Sequence, residues 1–234
     1  MARSGPFANL PRFRRGSLAI FATALLLTAI IGDQPLGAQL LLTPGEVLAG
    51  HRVWAPVTTN VIFPPAGMTL LLSTLFIQWF LASPLEGFWG TRKYLFLALG
   101  CGIAGHLVSV ALAPLSPSIA NTPVGGTTAI DMAAVTAFGV VFGKRKLRLF
   151  GGIEVSSRGV AIFVIALSVI SPVARGTPWP VVIPWLTAIA GALLVTTQPW
   201  RRLWDSGKVG GSKRKRRRSH LRVVEVESPP ELLN

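Results

Sequence analysis

Residues 84–95 read PLEGFWGTRKYL, and they separate two apolar runs, Met68–Pro84 and Tyr94–Ala113. One acid, Glu86, and two bases, Arg92 and Lys93, crowd into this short connection. Apolar runs of this length, punctuated this way, read as membrane spans joined by a turn. Working outward, further apolar runs lie at Leu18–Ile31, Gly125–Phe142, Gly159–Ile170 and Val181–Thr197, which makes six. All are at the short end for a span, so loop residues or a locally thin bilayer must make up the length.

Composition agrees. Half of the 234 residues are hydrophobic and 14% are charged, against roughly 25% in ordinary soluble domains. The mean hydropathy is +0.54, yet Lys plus Arg exceed Asp plus Glu by 23 to 9. A disordered basic chain would be poor in large apolar residues, and a soluble basic domain would not carry such runs. The single cysteine, Cys101, excludes an intrachain disulfide. Neither a phosphate-binding loop nor a metal-ligand set occurs, so no metal and no cofactor is expected.

Charge sets the expected topology. With six spans and a cytoplasmic N-terminus, 21 of the 23 basic residues fall on the inner side, and only Arg52 and Arg175 fall outside. Both termini are then cytoplasmic, and a bacterial inner membrane is the expected location. A rival reading makes the first run a signal peptide cleaved near Ala38, and the charge count alone does not exclude it.

Three regions follow: a basic N-terminus (1–16), a six-span domain (17–198) and a basic tail (199–234). Residues 33–66 hold Pro35, Pro44, Pro56, Pro64 and Pro65, so no single helix fits. Leu40–Leu42, Trp54, Val57 and Phe63 keep the segment apolar, which suits an amphipathic loop lying in the interface. The tail carries Lys213, Arg214, Lys215, Arg216, Arg217 and Arg218. Such a cluster beside a last span reads as contact with anionic lipid or a partner, rather than with nucleic acid.

Six spans, this first loop and three short motifs together resemble the rhomboid family. Arg52, Trp54, Thr58 and Phe63 stand where the family has a Trp-Arg pair, a Thr and an aromatic, although Val53 splits the pair here. Leu85, Glu86, Gly90 and Arg92 match its pattern at the end of the second span. VGGTTAIDMAAVTAFGVVFG, residues 124–143, lies where the family places a Gly-x-Ser-Gly nucleophile; Gly126 matches its first glycine. The resemblance covers about residues 15–198 and implies an all-α, six-helix membrane bundle.

The same resemblance exposes departures. The nucleophile position falls on Thr128 and the next on Ala129. The sixth span has no His to take a proton, and Pro184 or Trp185 stands near its place. The second span lacks the His and Asn that the family uses as oxyanion donors. The expected role is therefore non-enzymatic: binding transmembrane partners, or serving as an accessory or assembly subunit among other integral membrane proteins. The alternative is a divergent intramembrane hydrolase using Thr128 with Asp131 or His106.

Polar residues within the runs are the remaining candidates. Thr127, Thr128, Asp131 and His106 form a candidate intramembrane polar site, because an acid in lipid costs about 2.5 kcal/mol or more. Thr128 and Asp131, three apart, would share a helix face. Asp131 would bond Thr127, Thr128, Thr136 or a backbone group and specify helix packing; the alternative is that Asp131 and His106 share a proton or lock helices together. Glu86 and Arg92, six apart, would be brought together by the turn, with the carboxylate fixing the loop amides.

Overall fold

The computed structural model describes residues 12–64, 68–149, 153–174 and 176–198. The expected basic tail cluster, Lys213–Arg218, lies outside the described residues.

Helices occupy all six apolar runs. Three helical stretches are long and apolar enough to cross a membrane: Leu70–Trp89, Thr91–Leu115 and Trp179–Thr197. Three apolar helices are shorter: Arg15–Ile31, Thr128–Val141 and Ser157–Pro172.

Helix α1 spans Arg15–Ile31. The proline-rich segment after it folds into three short helices, α2 (Pro35–Leu40), α3 (Pro44–Leu48) and α4 (Ala55–Thr58), then a 3-10 turn at Thr59–Val61. Each short helix starts with a Pro in its first turn, where the missing N–H costs nothing. The second run is α5 (Met68–Phe76), a π-helical stretch at Ile77–Ala82, and α6 (Ser83–Trp89). Pro84 explains the wide turn. It cannot donate to the carbonyl one turn back, and Ser83 instead sends its N–H to the Gln78 carbonyl, five residues back.

The sequence places the end of this span at Pro84. The helix continues to Trp89 and stops at Gly90, whose φ of +83° suits glycine. Helix α7 (Thr91–Leu112) starts at once. A short α8 (Pro117–Asn121) leads to α9 (Thr128–Val141). Helix α10 covers Ser157–Ala174 and α11 covers Ile183–Thr197.

The all-α expectation needs one correction. Lys146–Leu149 (β1) and Ile153–Ser156 (β2) pair antiparallel, with Lys146 opposite Ser156 and Leu149 opposite Ile153. Both stretches alternate polar and apolar residues, the two-residue period of a strand, and Gly151 and Gly152 stand between them. Lys146 and Glu154, diagonal neighbours on the ladder, pair at 3.2 Å.

The core centres on α9, where every residue from Ala129 to Gly139 is buried. Four alanines at 129, 133, 134 and 137 allow α7, α10 and α11 to pack close around it. Gly139 faces the Ala161 methyl on α10, and Gly105 on α7 lies against the Pro184 carbonyl of α11. A side chain at Gly105 would meet backbone, so these two helices fit only with glycine there.

Candidate functional site

Asp131 lies in the first turn of α9 and is 2% exposed. Its carboxyl group is fully engaged. Oδ1 accepts from Gln78 Nε2 at 2.8 Å. Oδ2 accepts from Thr74 Oγ1 at 2.9 Å and from Thr127 Oγ1 at 2.8 Å. The two threonine hydroxyls are themselves 2.7 Å apart, so three oxygens form a closed triangle. Gln78 extends the network, since its Oε1 accepts from Tyr94 Oη at 2.6 Å. All five residues are buried.

The network joins three helical stretches: α5 and its π-helical continuation through Thr74 and Gln78, α7 through Tyr94, and α9 through Asp131. Gln78 sits in the π turn that Pro84 imposes. An acid and a glutamine in an apolar bundle are each costly alone, and each here satisfies the other.

Of the threonines expected to bond Asp131, the structure supplies Thr127, while Thr136 donates to the Met132 carbonyl instead. Thr127 sits at the cap position of α9, and its hydroxyl turns forward to Asp131 instead of capping the helix amides. Thr128 is half-buried and makes no hydrogen bond to Asp131 among the described residues.

His106 is also apart from this group. It is 1% exposed on α7, and neither ring nitrogen has a hydrogen-bond partner among the described residues. The alternative proton-sharing pair of Asp131 and His106 is therefore not formed among the described residues; the donors on the carboxylate are Thr74, Thr127 and Gln78. No group of His, Cys, Asp and Glu among the described residues is arranged to hold a metal.

The turn before α9 is held from the other side by the proline-rich segment. Leu42 and Val124 exchange backbone hydrogen bonds of 3.0 and 2.8 Å. Thr59 Oγ1 donates to the Val124 carbonyl at 2.5 Å, and the Thr59 carbonyl accepts from Gly126 N–H at 2.9 Å. Gly126 has φ +100°, and a Cβ there would enter the Phe63 ring. Its match to the family glycine thus has a physical cause in this chain.

Glu86 forms a second buried lock, at the opposite end of the same span. It is 1% exposed. Its carboxylate accepts from Gly16 N–H (2.9 Å), Ser17 N–H (2.8 Å), Ser17 Oγ (2.8 Å) and Thr91 Oγ1 (2.7 Å). These amides are the unpaired donors of the α1 N-terminus, where a carboxylate also meets the positive end of the helix dipole. The expected meeting of Glu86 with Arg92 does not occur. Helix α7 begins at Thr91, so Thr91 reaches the carboxylate and Arg92 is exposed. Leu85 is buried beside it, and Gly90 ends the helix.

Arg52 takes a left-handed backbone with φ +49° and pairs with Glu46 at 2.9 Å. Trp54, two residues on, is 49% exposed and does not share this contact. Sequence reasoning singles out Asp131, Glu86 and Thr127 but misses Thr74, Gln78, Tyr94 and Ser17. Their signal is faint: ordinary polar residues in apolar runs, readable only as suppliers for a known buried acid.

Neither His51 nor His106 is hydrogen-bonded to Thr128 among the described residues. Helix α11 packs against α7 and α9, and Pro184, Trp185, Ala188 and Ala192 are its buried residues.

Comparison with curated proteins finds no match, and neither does comparison with solved structures. A family model described as a rhomboid domain matches residues 51–200, well over half of the chain and all of the helices from α5 to α11. The chain belongs to the rhomboid family.

Proposed function

We propose that this rhomboid-family chain acts without proteolysis, as a membrane protein that binds transmembrane partners or serves as an assembly subunit. In this reading it is a six-span protein with both termini cytoplasmic, in a bacterial inner membrane. The orientation rests on the charge count, and the exposed Val53, Trp54 and Val57 of the first loop suit the membrane interface.

One observation carries the non-catalytic reading. The side-chain donors that the second span turns toward the start of α9, Thr74 and Gln78, are both committed to Asp131. A hydrolase needs donors free to meet a developing oxyanion and a base beside the nucleophile. Here the donors serve a structural acid, and no imidazole among the described residues is hydrogen-bonded to Thr128. What remains is a bundle with a polar lock and an irregular outer loop, a surface suited to recognising another membrane helix.

The test uses the full chain in proteoliposomes with tagged single-span substrates and a fluorophosphonate probe for activated hydroxyls. No cleavage and no labelling are expected, and cleavage abolished by Thr128→Val would overturn the reading. Purification from native membranes in mild detergent then separates its two forms. A single partner at constant ratio indicates an assembly subunit, and many substoichiometric membrane proteins indicate client binding.

A further inference from the structure

The corner where α9 ends and α10 begins borders an open cleft of about 330 Å³. Its wall is half apolar and half cationic: Val140, Val141 and Phe142 on one side, Lys144, Arg145 and Arg158 on the other. The three cations are exposed, and none has an ion pair among the described residues. The acid of the adjoining hairpin, Glu154, is engaged by Lys146. The corner is also cross-linked. Ser157 donates both its N–H (2.9 Å) and its Oγ (3.0 Å) to the Arg145 carbonyl, which ties the start of α10 to the residues after α9.

The local dipoles nearly cancel. The α9 C-terminus contributes a partial negative charge, and the α10 N-terminus, with no acid in its first turn, contributes a partial positive one. The uncompensated charge is therefore that of the three side chains. Two guanidinium groups and an ammonium around one cleft match the oxygens of a phosphate, which arginine forks bind in pairs. The apolar wall beside them sits at the end of a membrane-embedded helix, where a lipid's glycerol and first acyl carbons would lie.

We propose that this cleft is a binding site for a phosphate group, with Lys144, Arg145 and Arg158 holding its oxygens. The phosphate arrives either as the headgroup of an anionic phospholipid or as a free anion. Val140, Val141 and Phe142 give the lipid form an additional contact. The residues lining the site include neither Thr128 nor any of Lys213–Arg218.

The full chain is placed in nanodiscs of phosphatidylcholine, with or without phosphatidylglycerol, and its unfolding temperature is measured. A parallel arm adds millimolar inorganic phosphate to the phosphatidylcholine discs. Stabilisation in either arm is expected, and it is lost in K144Q/R145Q/R158Q. Basic residues near an anionic surface contribute about fivefold each in affinity, so the triple variant binds at least about tenfold more weakly. Replacing Lys213–Arg218 by Gln leaves the effect in place. An effect with phosphatidylglycerol alone names lipid as the source, and one with inorganic phosphate names a free anion. Stabilisation in neither arm, or equal stabilisation in the triple variant, overturns the proposal. Should that variant fail to fold, a photo-crosslinking phosphatidylglycerol analogue on the wild-type chain decides: adducts within residues 140–158 uphold the site, and adducts elsewhere overturn it.

Discussion

Gln78 donates to Asp131 at 2.8 Å and accepts from Tyr94 at 2.6 Å, so one amide ties α9 to α7 through the second span. Gln78→Leu removes both bonds and leaves a carboxyl oxygen and a phenol unsatisfied in the core. Hydrogen bonds between membrane helices average about 0.6 kcal/mol, whereas stranding a buried polar group costs about 1–3 kcal/mol. We expect Gln78→Leu to cost about 2–3 kcal/mol in detergent unfolding. A double-mutant cycle with Tyr94→Phe should show coupling of about 0.5 kcal/mol or more. Strict additivity of the two changes would deny that the residues act as one network.

Asp131→Ala removes the shared acceptor of three donors at once: Thr74, Thr127 and Gln78. It should be the costlier change, at about 3 kcal/mol. Thr128→Val, one residue from Thr127, should cost under about 1 kcal/mol, since Thr128 makes no bond to the acid. The contrast is read by unfolding both variants under the same conditions. Equal losses would mean that the helix start, not the carboxyl network, carries the stability.

The apolar runs were legible because hydropathy is a property of composition, and lipid demands it over a whole span. Glu86 and Asp131 were legible for the converse reason: an acid stands out in an apolar run. Their partners were not. Ser17 lies 69 positions from Glu86, and Gln78 lies 53 from Asp131. Which residues meet across helices depends on helix rotation, and the π turn at Ile77–Ala82 resets that rotation within the second span. The preference of Asp131 for Thr127 over Thr128 is one step of the same ambiguity, since three- and four-residue spacings both share a helix face. The hairpin at 146–156 escaped because its alternating pattern is only four residues long on each side.

The two positive-φ glycines of the first loop and of the turn before α9 should respond differently to alanine. Gly50 has φ +81° and faces open space, with nothing within 4 Å of where a Cβ would stand. Gly50→Ala therefore bears only the left-handed penalty of about 1–2 kcal/mol. Gly126, at φ +100°, adds a clash with the Phe63 ring. Gly126→Ala should cost at least about 2 kcal/mol more, in the range of an overpacked core, and Gly126→Ala with Phe63→Ala should recover part of the steric share. No recovery in the double variant would place the cost in the backbone alone.

Glu86 anchors α1 by its N-terminal amides, which makes the attachment of that helix testable. Glu86→Gln keeps a side-chain acceptor but loses the charge at the helix end, a loss of about 1 kcal/mol. Glu86→Ala loses the acceptor for Gly16, Ser17 and Thr91 together, and should cost about 2–4 kcal/mol. The effect should be local before it is global. Limited proteolysis should cut between α1 and α5 faster in Glu86→Ala than in the parent, while the Asp131 network, at the other end of the span, keeps the remaining helices together. Ser17→Ala removes only one of the four bonds and should lie between the parent and Glu86→Gln. If Glu86→Ala instead unfolds the whole chain in one step with no early cut, α1 is part of the cooperative core, and the carboxylate holds the bundle rather than one helix.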